Sequence, residues 1–236
     1  MTLPIITVVM PTMGYGPRVK MAKLAMKCFL DQTYPNRKLL ILKHGVEPIL
    51  DNAPCQLGMV QEVKIHRSHQ MSLGEVRNLA FTLAESDYWI TWDDDDWHHP
   101  TRMTAQFNTL KKAKKAASVL PSYATIDLAT GRAFVRTSRG FRCGGCCGTI
   151  LFKHTSRRYP HLNRHEDAQF AESFAAGGQL AVCPDHPTLY LRTYHGGNSS
   201  PRNHVLNIPA RQRRPLTASE LAFVQTIIPQ LQENLK

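Results

Sequence analysis

Apolar residues follow two alternating rhythms along the first half of the chain. A β-branched run at 5–10, "IITVVM", stops at Pro11 and predicts a strand that opens into a loop. The loop over 12–17 carries two glycines. Over 18–30 the period lengthens, and Val19, Ala22, Met26, Phe29 and Leu30 form a stripe at helical spacing. "YPN" at 34–36 breaks that stripe, and "KLLILK" at 38–43 predicts a short buried strand. Residues 51–59 read as irregular, and 62–66 as a third strand. Ser72 followed by Glu75 is a capping-box signature for a helix over 72–85. A fourth strand at 88–92 runs straight into four aspartates.

This order of strands and helices predicts an α/β fold: a mostly parallel, twisted sheet flanked by helices in one compact domain. Such sheets bind ligands beyond the carboxyl ends of their strands. Pro11-Thr12 and Asp93–Asp96 both fall at such ends.

The second half is less regular. A helix is predicted over 100–115, opened by Pro100 and carrying Met103, Phe107 and Leu110 on one side. Strands are expected at 118–126, 132–137, 149–153, 180–182 and 188–192. A helix at 166–176 should stop at Gly177-Gly178. Residues 201–215 read as a basic loop. A final helix over 217–234 contains Pro229, which predicts a kink or an early end. Residues 1–204 are expected to form the main domain, with 205–236 packed on it or extending it.

Composition narrows the class. With 42% hydrophobic residues in 236, the chain is an ordinary globular protein. No apolar run approaches the roughly 20 residues that a membrane span needs. The N-terminus reads as a strand and not a signal peptide, so a cytoplasmic location is expected, with a membrane surface as the other possibility. Six scattered cysteines suit reduced thiols. A formal net charge of +11 favours polyanionic partners.

Against that basic background, "DYWITWDDDDWHHP" concentrates four carboxylates between Trp92 and Trp97. Uncompensated charge is costly in an apolar setting. Clustered carboxylates beyond a strand suit a hard divalent cation, which takes oxygen ligands and leaves room for phosphate oxygens.

Five segments in this order, "VVMPT", "SLGEVRNLA", "YWITWDDDDWHHPTRM", "HEDAQF" and "YHGGNSS", resemble the GT-A-fold glycosyltransferases of family 2 over roughly residues 5–200. The resemblance implies a GT-A-type, Rossmann-like fold. It also implies a metal-dependent, inverting transfer from a nucleotide-diphosphate sugar to an acceptor hydroxyl, with Mn2+ or Mg2+ as cofactor. Asp93 and Asp95 fit the metal motif, with Asp95 the foremost ligand, Asp94 the alternative register and Asp96 behind them. His195 fits a late histidine that reaches the metal or the diphosphate. Pro11, Thr12, Arg77, Asp93 and Asp94 would bind the nucleotide sugar, while Asn78 holds the helix start. Glu166-Asp167 fits the Glu-Asp pair whose aspartate is the catalytic base, an assignment that suits the proton transfer such chemistry needs. Glu166, Trp97 and Gly145 would lie on the acceptor side, Gly145 in a glycine-rich loop that admits substrate.

The chain departs from the pattern at the end of its second strand, where an aspartate that contacts the base is usual. Here His44 stands instead, with Glu47 nearby and Asp51 in the loop. A UDP-sugar is still the foremost donor, but uridine specificity loses one of its usual contacts. "CGGCC" at 143–147 has a Cys-x-x-Cys spacing but no matching second pair, so the glycine-rich-loop reading is preferred to structural zinc. The acceptor stays open between DNA carrying hydroxylated bases and an anionic, membrane-associated glycan precursor. On DNA, Arg202, Arg211, Arg213 and Arg214 would track phosphates. A non-catalytic nucleic-acid-binding module on the same fold is the competing class, and a nucleotidyltransferase fits the late motifs poorly.

Overall fold

The computed structural model describes residues 2–50, 58–66, 70–198 and 205–233. Its larger sheet is organised around β1 (Ile6–Thr12), nearly all of which is buried. β1 pairs in parallel with β2 (Arg37–Lys43) on one side and β4 (Tyr88–Thr91) on the other. β3 (Val60–Lys64) extends the sheet beyond β2, again in parallel. The chain's alternation also sorts its side chains. Ile6, Val8 and Met10 face one core with α1 (Pro17–Leu30) and α3 (Arg102–Ala113). Val9 faces a second core with α2 (Leu73–Leu83) and α4 (Glu166–Ala176).

The sheet is more mixed than the sequence pattern suggests. β9 (Cys146–Lys153) runs antiparallel to both β4 and β6 (Ala117–Leu120). β10 (Leu180–Val182) then pairs in parallel with β6 at the edge. A second, five-stranded sheet was not foreseen. It has the order β12-β8-β7-β11-β5, from β12 (Arg213–Arg214), β8 (Ala133–Thr137), β7 (Ser122–Asp127), β11 (Tyr190–Tyr194) and β5 (Trp97–His98). Only Pro121 separates β6 from β7, so the expected strand at 118–126 is two strands in different sheets. Proline cannot donate to a ladder, and this is where the chain leaves one sheet for the other.

This second sheet positions the acidic run. Residues 92–96, with the four aspartates, link β4 of the first sheet to β5 of the second. β5 pairs with β11, with His98 opposite Tyr190 and Trp97 opposite Leu191. The late segment after β11 is thereby held beside the aspartates. β11 begins two residues later than expected because residues 187–189 form a single 3-10 turn opened by Pro187.

The last helix, α5 (Ala218–Glu233), buries Val224, Ile227 and Leu231 against the first core. It runs through Pro229 without ending there; Pro229 is exposed, so its ring sits on the solvent face. Thr217 and Glu220 form a reciprocal cap at its start, with Glu220 also gripping Arg214 through two 2.8 Å bonds. No described helix is long and apolar enough to cross a membrane.

Candidate active site

Each aspartate of the run meets a different environment. Asp94 is buried; its Oδ2 accepts from the Thr12 hydroxyl at 2.5 Å and its Oδ1 from Arg18 Nη1 at 2.7 Å. Burial, then repulsion from Asp95, pushes its carboxyl up to about 7. Asp95 Oδ2 is approached by Arg18 Nη1 at 2.9 Å, Asn198 Nδ2 at 3.0 Å and His195 Nε2 at 3.2 Å. Burial alone would raise the Asp95 carboxyl. The hydrogen bond from His195 and the charges of Arg18, His195 and Arg192 outweigh it, and the group stays below the usual carboxylate range. Asp96 turns away to the Tyr190 hydroxyl and to the Thr193 N–H at 2.8 Å. Burial and the neighbouring aspartates drive it well above the usual range. Asp93 faces Arg77 Nη2 at 3.4 Å, and its side chain is 37% exposed, the most open of the four.

Arg77 joins this run to the Glu-Asp pair. It sits on α2, whose first turn is fixed by the expected capping box between Ser72 and Glu75. Gly74 lets the helix approach the loop at 159–160, since a Cβ there would lie 1.9 Å from the Pro160 oxygen. Asn78 exchanges two hydrogen bonds with the Tyr159 backbone, at 2.9 and 2.8 Å. It therefore clamps that loop and not the helix start. The buried guanidinium of Arg77 pairs with buried Glu166 and lies over the Tyr159 ring.

Glu166 and Asp167 open α4, where negative charge favours the helix dipole. They follow His165, whose φ of 63° is left-handed. Asp167 Oδ1 accepts from Ala168 N at 2.7 Å. Its Oδ2 lies over Gly148 of β9, where a Cβ would come within 3.0 Å. The Gly148 carbonyl in turn accepts from Thr91 at the end of β4. Glu166-Asp167 and the acidic run thus share one end of the sheet.

Not every expected residue faces this centre. Trp97 is buried, with its ring against His99 and Phe223, so it belongs to the core under α5 and not to an acceptor surface. Gly145 is required by packing on β6, since a Cβ there would lie 2.0 Å from Val119. Thr12 holds Asp94 and caps Gly14 N at 3.2 Å. Pro11 lies in β1 just past its register with β4, beyond the bond from the Trp92 N–H to the Val9 carbonyl at 3.1 Å, where a residue without an N–H is tolerated. Glu47 ties two loops together through Gly16 N at 3.0 Å, and His44 N–H reaches the Thr12 carbonyl at 3.4 Å. Asp51 and Arg202 lie outside the described residues. Arg214 is taken by Glu220, which weakens the expected phosphate-tracking arginine set.

Among the described residues, no group of three or more His, Cys, Asp or Glu side chains is arranged to hold a metal ion. Of the expected trio, Asp95 and His195 meet, while Asp93 is drawn to Arg77. In the glycine-rich segment, Cys143 and Cys147 are free thiols with sulfurs 3.0 Å apart. A groove of about 270 Å³ lies at the other end of the sheet, lined by Thr7, Lys38, Gly58 and Leu83, and includes none of the site residues.

Sequence reasoning missed Arg18, Arg192, Tyr190 and Thr193. Arg18 opens α1 and also reaches the Gly197 carbonyl at 3.1 Å. Arg192 hydrogen-bonds Tyr123 and contributes positive charge at Asp93, Asp95 and Asp96. Arg102, fully buried, spreads its guanidinium over the Trp92 and Tyr190 rings and donates to the Thr91 carbonyl at 3.2 Å, bracing the strand beneath the run.

The chain resembles known proteins in both sequence pattern and fold. Solved structures with similar folds include Staphylococcus aureus TarS 1–349 (TM-score 0.60, 13% identity, 80% of this chain and 60% of that one). The same TarS fragment in complex with UDP-GlcNAc aligns with a TM-score of 0.61 at 13% identity, over 96% of this chain and 66% of that one. The mannosyltransferase PcManGT from Pyrobaculum calidifontis, in complex with GDP-Man and Mn2+, aligns with a TM-score of 0.57 at 12% identity, over 99% and 73%. At these identities the likeness shows the fold, which is the GT-A type. The chain spans about 60% of the TarS fragment's length. No curated protein matches the chain. The model of the family described as "Glycosyl transferase family 2" matches residues 7–196. On that match, which takes in β1, the acidic run, Glu166-Asp167 and His195, the chain belongs to glycosyl transferase family 2.

Proposed function

We propose that this protein is a metal-dependent, inverting glycosyltransferase that moves a sugar from a nucleotide-diphosphate sugar to an acceptor hydroxyl. The supporting observation is the continuous polar constellation at one end of the sheet. It runs from His195 through Asp95, Arg18 and Asp94, with Asp93, Arg77 and Glu166 leading on to Asp167. A non-catalytic nucleic-acid-binding module has no use for so many buried charges gathered at a single anionic centre.

The donor set fits a hard divalent cation. Asp95 supplies a carboxylate kept ionised and His195 a nitrogen, while the other positions of the shell would be left to diphosphate oxygens. Mn2+ or Mg2+ held there supplies electrostatic stabilisation of the departing diphosphate. Arg77 holds Glu166 and thereby fixes the first turn of α4. Asp167 accepts the proton of the acceptor hydroxyl as that oxygen attacks the anomeric carbon from the face opposite the diphosphate, which inverts the centre. Gly148 keeps the space over Asp167 Oδ2 free of a side chain. A UDP-sugar is the foremost donor, and the GDP-Man complex of PcManGT makes a GDP-sugar the comparison.

The test is a thermal-shift screen with UDP, UDP-sugars and GDP-sugars, each with and without MnCl2. Ligand at 100 times its Kd stabilises the folded state by about 2.7 kcal/mol. A rise in Tm that needs both a nucleotide and the metal supports the reading. No rise with any donor in the presence of Mn2+ overturns it.

A further inference from the structure

We propose that Arg18 is a built-in counter-ion of the acidic run, which a divalent metal displaces and which then turns to the donor's diphosphate. This deepens the proposed donor site and rests on that reading.

Arg18 is the second residue of α1, and its side chain is only 17% exposed. One guanidinium nitrogen bridges Asp94 Oδ1 at 2.7 Å and Asp95 Oδ2 at 2.9 Å. The other reaches the Gly197 carbonyl at 3.1 Å. The arginine therefore touches two carboxylates and, across 179 positions of sequence, the loop that carries His195. Asp94 and Asp95 repel one another, and the Arg18 guanidinium is the cation that bridges the two carboxylates.

Asp95 Oδ2 is also the atom that His195 and Asn198 approach. N–H donors from Arg18 and Asn198, together with the His195 ring nitrogen, already surround that single oxygen. A metal ion bonding there at about 2.1 Å must displace at least one of them. Arg18 is the donor with a fixed positive charge, and two cations on one carboxylate oxygen repel each other strongly in a partly buried site. Its bridge to Asp94 and its hold on Gly197 would therefore break together. Guanidinium groups recognise phosphate oxygens in the same forked manner as carboxylates, so the freed side chain has a ready partner in the diphosphate.

The experiment uses full-length wild type, Arg18→Met and Arg18→Gln, with Mn2+ affinity measured without nucleotide and UDP affinity measured at saturating Mn2+. Loss of a competing cation should tighten Mn2+ binding by about tenfold or more in both variants. UDP binding should weaken in both. Arg18→Met should also have a lower metal-free Tm, and Mn2+ alone should raise it more than it raises that of wild type. Arg18→Gln, which keeps a polar side chain, secures the test if Arg18→Met does not fold. If wild type binds Mn2+ and neither variant gains affinity, Arg18 merely ties α1 to the core and the inference is overturned. If no form binds Mn2+ even with UDP present, the metal-dependent reading falls, and this inference with it.

Discussion

Removing Arg77 should cost more than any other single change at the site. Its guanidinium is buried between Glu166, itself 3% exposed, and Asp93, and it covers the Tyr159 ring. Arg77→Met keeps the length and apolar bulk of the side chain but strands the Glu166 carboxylate. Removing one partner of a buried pair costs about 3–5 kcal/mol, because the remaining charge has no compensation. Against a typical domain stability of about 5–15 kcal/mol, that is a large fraction. Asp93 adds little, since its side chain is more than one-third exposed. Burial already holds the Glu166 carboxyl above its ordinary value, with Arg77 opposing that shift. Without Arg77 the shift must grow, so folded Arg77→Met binds a proton that the unfolded chain has released. Its stability should therefore fall as pH rises above the ordinary glutamate range, and the deficit relative to wild type should shrink near pH 4. Urea unfolding at pH 7 and pH 4 measures this. Arg77→Met/Glu166→Gln, which removes both charges, should recover at least half of the loss at pH 7. A single-variant loss under about 1 kcal/mol, or no recovery in the double variant, would refute the argument.

Three further outcomes follow from the same geometry. Asp95→Ala should abolish Mn2+-dependent binding of UDP while leaving the fold intact, as checked by calorimetry and circular dichroism; undiminished binding would move the ligand to Asp93 or Asp94. Gly148→Ala should lower turnover by roughly tenfold to a hundredfold by pressing on Asp167 Oδ2, with nucleotide affinity unchanged, because a displacement of about 1 Å in a reacting group can cost that much. Glu220→Gln should cost about 1 kcal/mol in urea unfolding at neutral pH, a value discounted for solvent screening. The Arg214 hydrogen bond holds the Glu220 carboxyl near 2, below its unfolded value, so the difference from wild type should fade as pH falls from about 4.5 toward 2.

Much of the fold was legible because its signals are local. The capping box at Ser72 and Glu75 lies within three residues, and α4 runs over 166–176 as its apolar spacing and the Gly177-Gly178 stop indicate. The second sheet was not legible. Its β5 is two residues long, and its pairing with β11 spans more than 90 positions of sequence. The same distance hid the partners of the acidic run. Nothing in the stripe of α1 marks Arg18 as different from any other basic residue at a helix start. Likewise, Tyr190 reads simply as a strand residue, and Thr193 falls just past the strand expected at 188–192. Gly145 packs on Val119 and Trp97 on Phe223, neighbours distant in sequence that residue type alone does not reveal.

The most direct measurement of the central claim is release of nucleotide diphosphate from a panel of UDP- and GDP-sugars by wild type and Asp167→Asn, with Mn2+ and then with excess EDTA. The account predicts release from at least one donor in Mn2+, none in EDTA, and a drop of about 10²-fold or more in Asp167→Asn with donor affinity nearly unchanged. Release that is indifferent to EDTA, equal turnover in Asp167→Asn, or no release from any donor would contradict it.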